Sequence, residues 1–246
     1  MPRKAAAHRN QDRPDSASSG RQTRSAPPAA GLNLNGSEDL AGLALKACLI
    51  ARDAAFNVRD LLNNSSRMAF LAIKDCEKEL DQIERHIDER LPAAITRVNE
   101  SRARQLLSSL KSTTDLERIG DLVMSVAMRV QDRPAKIPAS DVKQLVEMSQ
   151  VLRDMLDLIH RGFSTLDLEC ARTVLQMDKE IDRICHAMFQ KHLAESGSEG
   201  VAGFDVLLMA QALERAGDHT TNLAEDLYSL IEGRSLRHVP KKKAAN

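Results

Sequence analysis

A chain of 246 residues, 42% of them hydrophobic, is long enough to bury one large core or two small ones. With no Trp, one Tyr (Tyr228) and five Phe, an aromatic core is excluded, and packing falls to Leu, Ile, Val, Met and Ala, most of them good helix formers. The formal net charge of zero hides a division: residues 1–37 carry six Lys or Arg against two Asp and residues 237–246 carry four against none, leaving a body of about −8, which excludes a nucleic-acid-binding core and suits cations or basic partners.

Met1 to about Gly36 is rich in Ala, Ser, Pro, Gly and Arg and shows no sustained period, which predicts a disordered basic tail over 1–36. Ser37 is placed to cap a first helix, with Glu38 and Asp39 in its first turn, and the apolar positions from Leu40 through Ala44, Ala47, Ala51, Ala54, Ala55 and Val58 to Leu62 keep helical spacing. Asn63-Asn64-Ser65-Ser66 breaks that period, and Ser66 starts a second helix through Met68, Leu80, Ile83 and Ile87, kinked or stopped by Pro92. A third helix starts at Asn99-Glu100-Ser101 and stops before Pro134.

Pro134 to Pro138 reads as a linker, after which Ser140 and Asp141 open a fourth helix that closes at Gly162. A fifth carries Leu166, Leu168, Val174, Ile181, Ile184 and Phe189. Ala194 to Gly203 is predicted to be a flexible loop, and a sixth helix ends at Glu232-Gly233, a glycine where a left-handed cap is wanted. Short connections require antiparallel neighbours, so the predicted fold is all-α: two tandem three-helix bundles over 37–133 and 140–236, with a basic tail over 237–246.

The two halves repeat each other. Leu116-Glu117-Arg118-Ile119-Gly120-Asp121 recurs as Leu213-Glu214-Arg215-Ala216-Gly217-Asp218, and an acidic pentad precedes each copy, Glu77-Lys78-Glu79-Leu80-Asp81 and Asp178-Lys179-Glu180-Ile181-Asp182. The separations are similar, 40 residues from Glu77 to Glu117 and 36 from Asp178 to Glu214, which marks a tandem duplication. On the sixth helix Glu214, Asp218 and Asn222 rise one turn at a time along one edge. Facing pentads would gather Glu77 and Asp81 with Glu117 and Asp121, and Asp178 and Asp182 with Glu214, Asp218 and Asn222. Carboxylates and an amide without a Cys pair suit Mg, Mn, Ca or iron better than a structural zinc. His186, one turn after Asp182, is a further nitrogen donor, whereas His219 points about 100° away from Asp218. The plainer alternative is a solvated acidic face paired with Lys78, Arg118, Lys179 and Arg215.

Enzymatic signatures are absent. No Glu is followed three residues later by His as in di-iron bundles, and there is no phosphate-cradling Gly-Lys-Ser/Thr loop and no nucleophile elbow. Cys48, Cys76, Cys170 and Cys185 lie within helical patterns and read as buried reduced thiols. With no apolar run long enough to span a bilayer and no secretory signal, the expected location is the cytoplasm.

The motifs at Leu116–Asp121 and Ala212–Glu225, with the ending from Tyr228 through Glu232-Gly233-Arg234 to Arg237-His238, resemble the PhoU family of phosphate-uptake regulators over about residues 38–238. The resemblance implies a non-enzymatic, metal-binding, commonly homodimeric regulator that represses the phosphate regulon and transport in high phosphate. It would link the ATPase subunit of the phosphate ABC transporter to a sensor histidine kinase, touch the membrane only through partners, and use no nucleic acid. It further implies divalent or ferric ions (iron, Mg, Mn or Zn) on the Glu-x-x-x-Asp-x-x-x-Asn edge. This chain departs from the pattern at Ser125, where the first copy lacks the counterpart of Asn222, so the second site is the stronger expectation. The alternatives are a metal-free scaffold and a regulator of another transporter, such as a sodium–phosphate symporter.

Overall fold

A computed structural model describes residues 39–132, 137–194 and 200–233. Among them are six helices and no strand: α1 (Leu40–Asn64), α2 (Arg67–Ile95), α3 (Glu100–Asp132), α4 (Ala139–Thr165), α5 (Leu168–Ala194) and α6 (Gly200–Glu232). The expected tails, most of the Pro134–Pro138 linker and the expected cap Ser37 lie outside the described residues.

Local chemistry accounts for most helix ends. Asp39, expected inside the first turn, is itself the cap of α1: its side chain accepts from the Ala41 N–H at 3.4 Å and is bound by Arg102 at 2.5 Å, so one carboxylate joins the starts of α1 and α3. Ser66 caps α2 through the Ala69 N–H at 3.2 Å, and Asn99 caps α3 through the Arg102 N–H at 2.9 Å. Gly233 ends α6 with φ of 70°, the left-handed conformation that glycine adopts without a Cβ penalty.

Three expectations give way to packing. The second helix does not stop at Pro92 but runs on to Ile95. Pro92 sits in the last turn on the exposed side, as does Asp88, so the one backbone bond it removes leaves a carbonyl facing water. The fourth helix passes Gly162 and ends at Thr165, and Leu166, assigned by period to the fifth helix, instead takes the left-handed cap at φ 53°. Gly162 is glycine for space: a Cβ there would lie 2.5 Å from Leu227 Cδ2 and 3.0 Å from Cys170 Cβ, at the point where α4, α5 and α6 meet. The predicted loop over Ala194–Gly203 is shorter than expected, since α6 begins at Gly200, and Gly203 lies within it against the His192 ring.

α1, α2 and α3 pack on one another, as do α4, α5 and α6, giving the two expected three-helix sets. They share one continuous core, because α1 also packs on α4 and α3 on α6. The small stripe Ala47, Ala51, Ala54 and Ala55, all buried, lets three helices approach α1 closely. α3 and α6 run antiparallel along their length: Arg129 near the end of α3 pairs with Asp205 near the start of α6 at 3.3 Å, and Arg104 near the start of α3 reaches the Gly233 carbonyl at 3.2 Å. Buried Asp141 in the first turn of α4 accepts from Lys191 at 2.8 Å and lies 3.3 Å from His192, fixing the start of α4 to the end of α5.

Candidate functional site: two carboxylate seams

Each Glu-Arg-x-Gly-Asp segment places its glycine where the pentad helix crosses. A Cβ on Gly120 would lie 2.6 Å from Leu80 Cδ1 and 3.8 Å from the Cα of Glu77, and one on Gly217 would lie 3.0 Å from Asp178 Oδ1 and 3.2 Å from Ile181 Cδ1. The close approach draws the acids of facing helices together. Burial, then the neighbouring Asp121, raises the Glu117 carboxyl above its ordinary range against the opposing Arg118, and Glu84 and Asp81 on α2 push the same way. Glu214 is raised in parallel, by burial first and then by Asp218 and Asp182, with Arg215 opposing. The mutual repulsion is the electrostatic mark of a place that gains from a cation.

The halves differ in how that repulsion is relieved. In the first seam Arg85 binds Asp81 at 2.7 Å, and Arg118 contacts both Asp121 and Glu117 at 3.4 Å. The Glu117 contact is ionic without hydrogen-bond geometry, which leaves its buried Oε2 with no hydrogen-bond partner. In the second seam Asp182, Glu214 and Asp218 make no ion pair among the described residues. Aligning the pentads puts His186 where the first half has Arg85, and His186 is exposed one turn beyond Asp182. That difference is legible in the sequence from the register of the two pentads.

Asn222 is used elsewhere. Its amide donates to Asp115 on α3 at 3.2 Å, and the same oxygen meets His219 Nδ1 at 2.8 Å, so both side chains join α6 to α3 and do not lie along the α5 carboxylates. Ser125, its counterpart in the first half, donates to its own helix at the Leu122 carbonyl, 2.8 Å away.

The donor set, four carboxylates per half on hard oxygen, fits the chemistry of a divalent or ferric ion. As the side chains stand, no three His, Cys, Asp or Glu among the described residues converge closely enough to hold one. Ligation therefore requires the seam carboxylates to turn inward, which is less hindered in the second half, where Asp182, Glu214 and Asp218 make no ion pair among the described residues.

The chain matches the PhoU domain twice, over residues 45–130 and 145–227. It is 31% identical over 190 residues to the phosphate-specific transport system accessory protein PhoU homolog of Rhizobium meliloti (strain 1021), covering 73% of this chain and 78% of the relative. The corresponding homolog of Pseudomonas putida is 28% identical over 181 residues, covering 70% and 69%. Among solved structures, PhoU from Pseudomonas aeruginosa superposes with a TM-score of 0.70 at 24% identity, over 80% of this chain and 97% of that one. The phosphate transport system regulatory protein PhoU from Streptococcus pneumoniae gives 0.72 at 22% identity, over 80% and 95%. No helix among the described residues is long and apolar enough to cross a membrane.

Proposed function

The chain belongs to the PhoU family, and from that membership we propose that it is a non-enzymatic, cytoplasmic accessory regulator of phosphate-specific transport, repressing uptake and the phosphate response when phosphate is plentiful. The observation that carries this is the duplicated helical unit, both copies of which match the family domain. Relatives named as accessory proteins of the phosphate-specific transport system supply the transport machinery as its partner. The finer proposal is contact with the transporter's ATPase subunit and a sensor histidine kinase, as a homodimer. Deleting the gene should raise alkaline phosphatase expression and phosphate accumulation in high phosphate. Normal repression in the deletion strain would overturn the regulatory role.

The metal proposal is confined to the second seam. Asp178, Asp182, Glu214 and Asp218 would hold a divalent or ferric ion, which would neutralise the repulsion that raises Glu214. The first seam supports the competing, metal-free reading for that half, because Arg85 and Arg118 already supply positive charge there. Metal content of protein purified without chelator separates the two: Glu214→Ala and Asp218→Ala should lose metal, whereas Asp121→Ala should retain it. Unchanged metal in the first two variants would remove the assignment.

A further inference from the structure

We propose that the cleft between α1 and α4 binds a small tetrahedral oxyanion, inorganic phosphate. A cavity of about 280 Å³ lies there, lined by Arg59 and the exposed Phe56 from α1 and by Gln150, Arg153 and Asp154 from α4. That is the small end of the range for ligand pockets, enough for an ion with a few waters and too little for a nucleotide.

Its two guanidinium groups are under-used. Arg52, Arg85, Arg118 and Arg129 are each held by a carboxylate, whereas Arg59 makes no ion pair among the described residues. Arg153 binds Asp154 through Nη2, while its Nε is buried and has no hydrogen-bond partner. A buried N–H of a charged group without an acceptor is costly, and a planar guanidinium fork matches the paired oxygens of a phosphate. Arg59 and Gln150 also line an adjoining, wider cavity of about 1080 Å³ with Lys143 and Glu147, which gives an ion a route in.

Asp154 decides which oxyanion enters. A carboxylate beside the site repels a fully ionised anion, but at neutral pH hydrogen phosphate carries an O–H that donates to it. Sulfate has no such proton, so the same carboxylate oxygen that accepts from hydrogen phosphate meets only an acceptor oxygen on sulfate, a contact that repels. Since Arg59 belongs to the first repeat and Arg153 to the second, a bound ion would join the repeats beside the Arg52–Asp157 ion pair, which bridges the same helices at 3.2 Å.

The choice of phosphate among oxyanions rests on the phosphate-transport reading; the arginine pair does not. Titration calorimetry of the full chain with sodium phosphate and with sodium sulfate, at constant ionic strength and with chelator present, tests the site. Saturable phosphate binding at least tenfold tighter than sulfate is expected, weakened about tenfold or more by Arg59→Gln and by Arg153→Gln while the thermal midpoint without phosphate stays unchanged. Asp154→Asn should abolish the preference over sulfate, and glycerol phosphate should bind more weakly than the free ion. Absence of saturable phosphate binding, equal affinity for sulfate in the wild type, or binding indifferent to Arg59→Gln would overturn the site. A wild-type protein that binds no phosphate while a deletion strain loses repression would count against the site alone, and saturable wild-type binding with normal repression in the deletion strain against the regulatory reading alone.

Discussion

Gly162→Ala should destabilise the protein, although alanine is the better helix former. Replacing glycine in a helix interior gains about 1 kcal/mol from propensity alone. Against this, the new methyl would meet Leu227 Cδ2 at 2.5 Å and Cys170 Cβ at 3.0 Å. Ordinary carbon contacts are about 3.5–4.0 Å, so the leucine tip must retreat by roughly 1 Å or more. A Cβ cannot swing away from its backbone, so relieving the cysteine contact means shifting α5. Overpacking costs about 1–3 kcal/mol, and with two contacts compressed at once, one of them to a Cβ fixed on its backbone, this site falls in the upper part of that range, about 2–3 kcal/mol. Less the propensity gain of about 1 kcal/mol, the balance is a net loss of about 1–2 kcal/mol, or roughly 2–8 °C in Tm for a domain of this size. Gly217→Ala is the control. Its nearest neighbours are side-chain tips, Asp178 Oδ1 at 3.0 Å and Ile181 Cδ1 at 3.2 Å, which can give by a few tenths of an ångström, so propensity and crowding should nearly cancel. Thermal unfolding followed by far-ultraviolet circular dichroism measures both variants. A Gly162→Ala protein melting at or above wild type, or a larger loss from Gly217→Ala, would refute the reasoning.

Asp141→Asn should lower the urea midpoint by the equivalent of about 1–3 kcal/mol, less than for a fully enclosed pair because Lys191 is 31% exposed; an unchanged midpoint would show that the pair contributes nothing. Burial pushes the Cys48 thiol up to about 12 and those of Cys76 and Cys185 to about 11, so iodoacetamide at pH 8 should leave these three unmodified in the native protein, read by peptide mass spectrometry, and alkylate them after denaturation. Glu214 is raised above its ordinary 4.5 in the folded state, so in chelator-treated protein it costs stability above its folded pKa, and that cost vanishes below the unfolded value. Glu214→Gln should therefore raise Tm at pH 7 and have a shrinking effect as pH falls through that window; an increment independent of pH would contradict it.

The seams show how far residue spacing carries and where it stops. The pairing of Glu117 with Asp121 and of Glu214 with Asp218 follows from helix geometry within one segment, and so does the glycine between them. That Gly120 and Gly217 admit a facing helix was implied by the duplication, since the same spacing occurs twice. Which cation answers the carboxylates was not: Lys78 and Lys179 are equivalent in the two pentads, while Arg85 and His186, four residues beyond Asp81 and Asp182, separate the halves. Gly162 predicts a stop from the sequence because a lone glycine after an apolar run carries the same local signature whether it caps a helix or makes room for one.

By itself the sequence determined the six helices, the duplication, the all-aliphatic core and the glycine that ends α6. Those features depend on backbone bonds and side-chain neighbours within about four residues, and such interactions are written locally. Tertiary structure alone decided that Asn222 and His219 meet Asp115, more than a hundred positions away, that one core runs through both repeats, and that Arg59 and Arg153 line a common cleft. Each of these depends on how helices remote in the chain dock. Docking is set by the summed shape of many small and large side chains, so no single spacing encodes it.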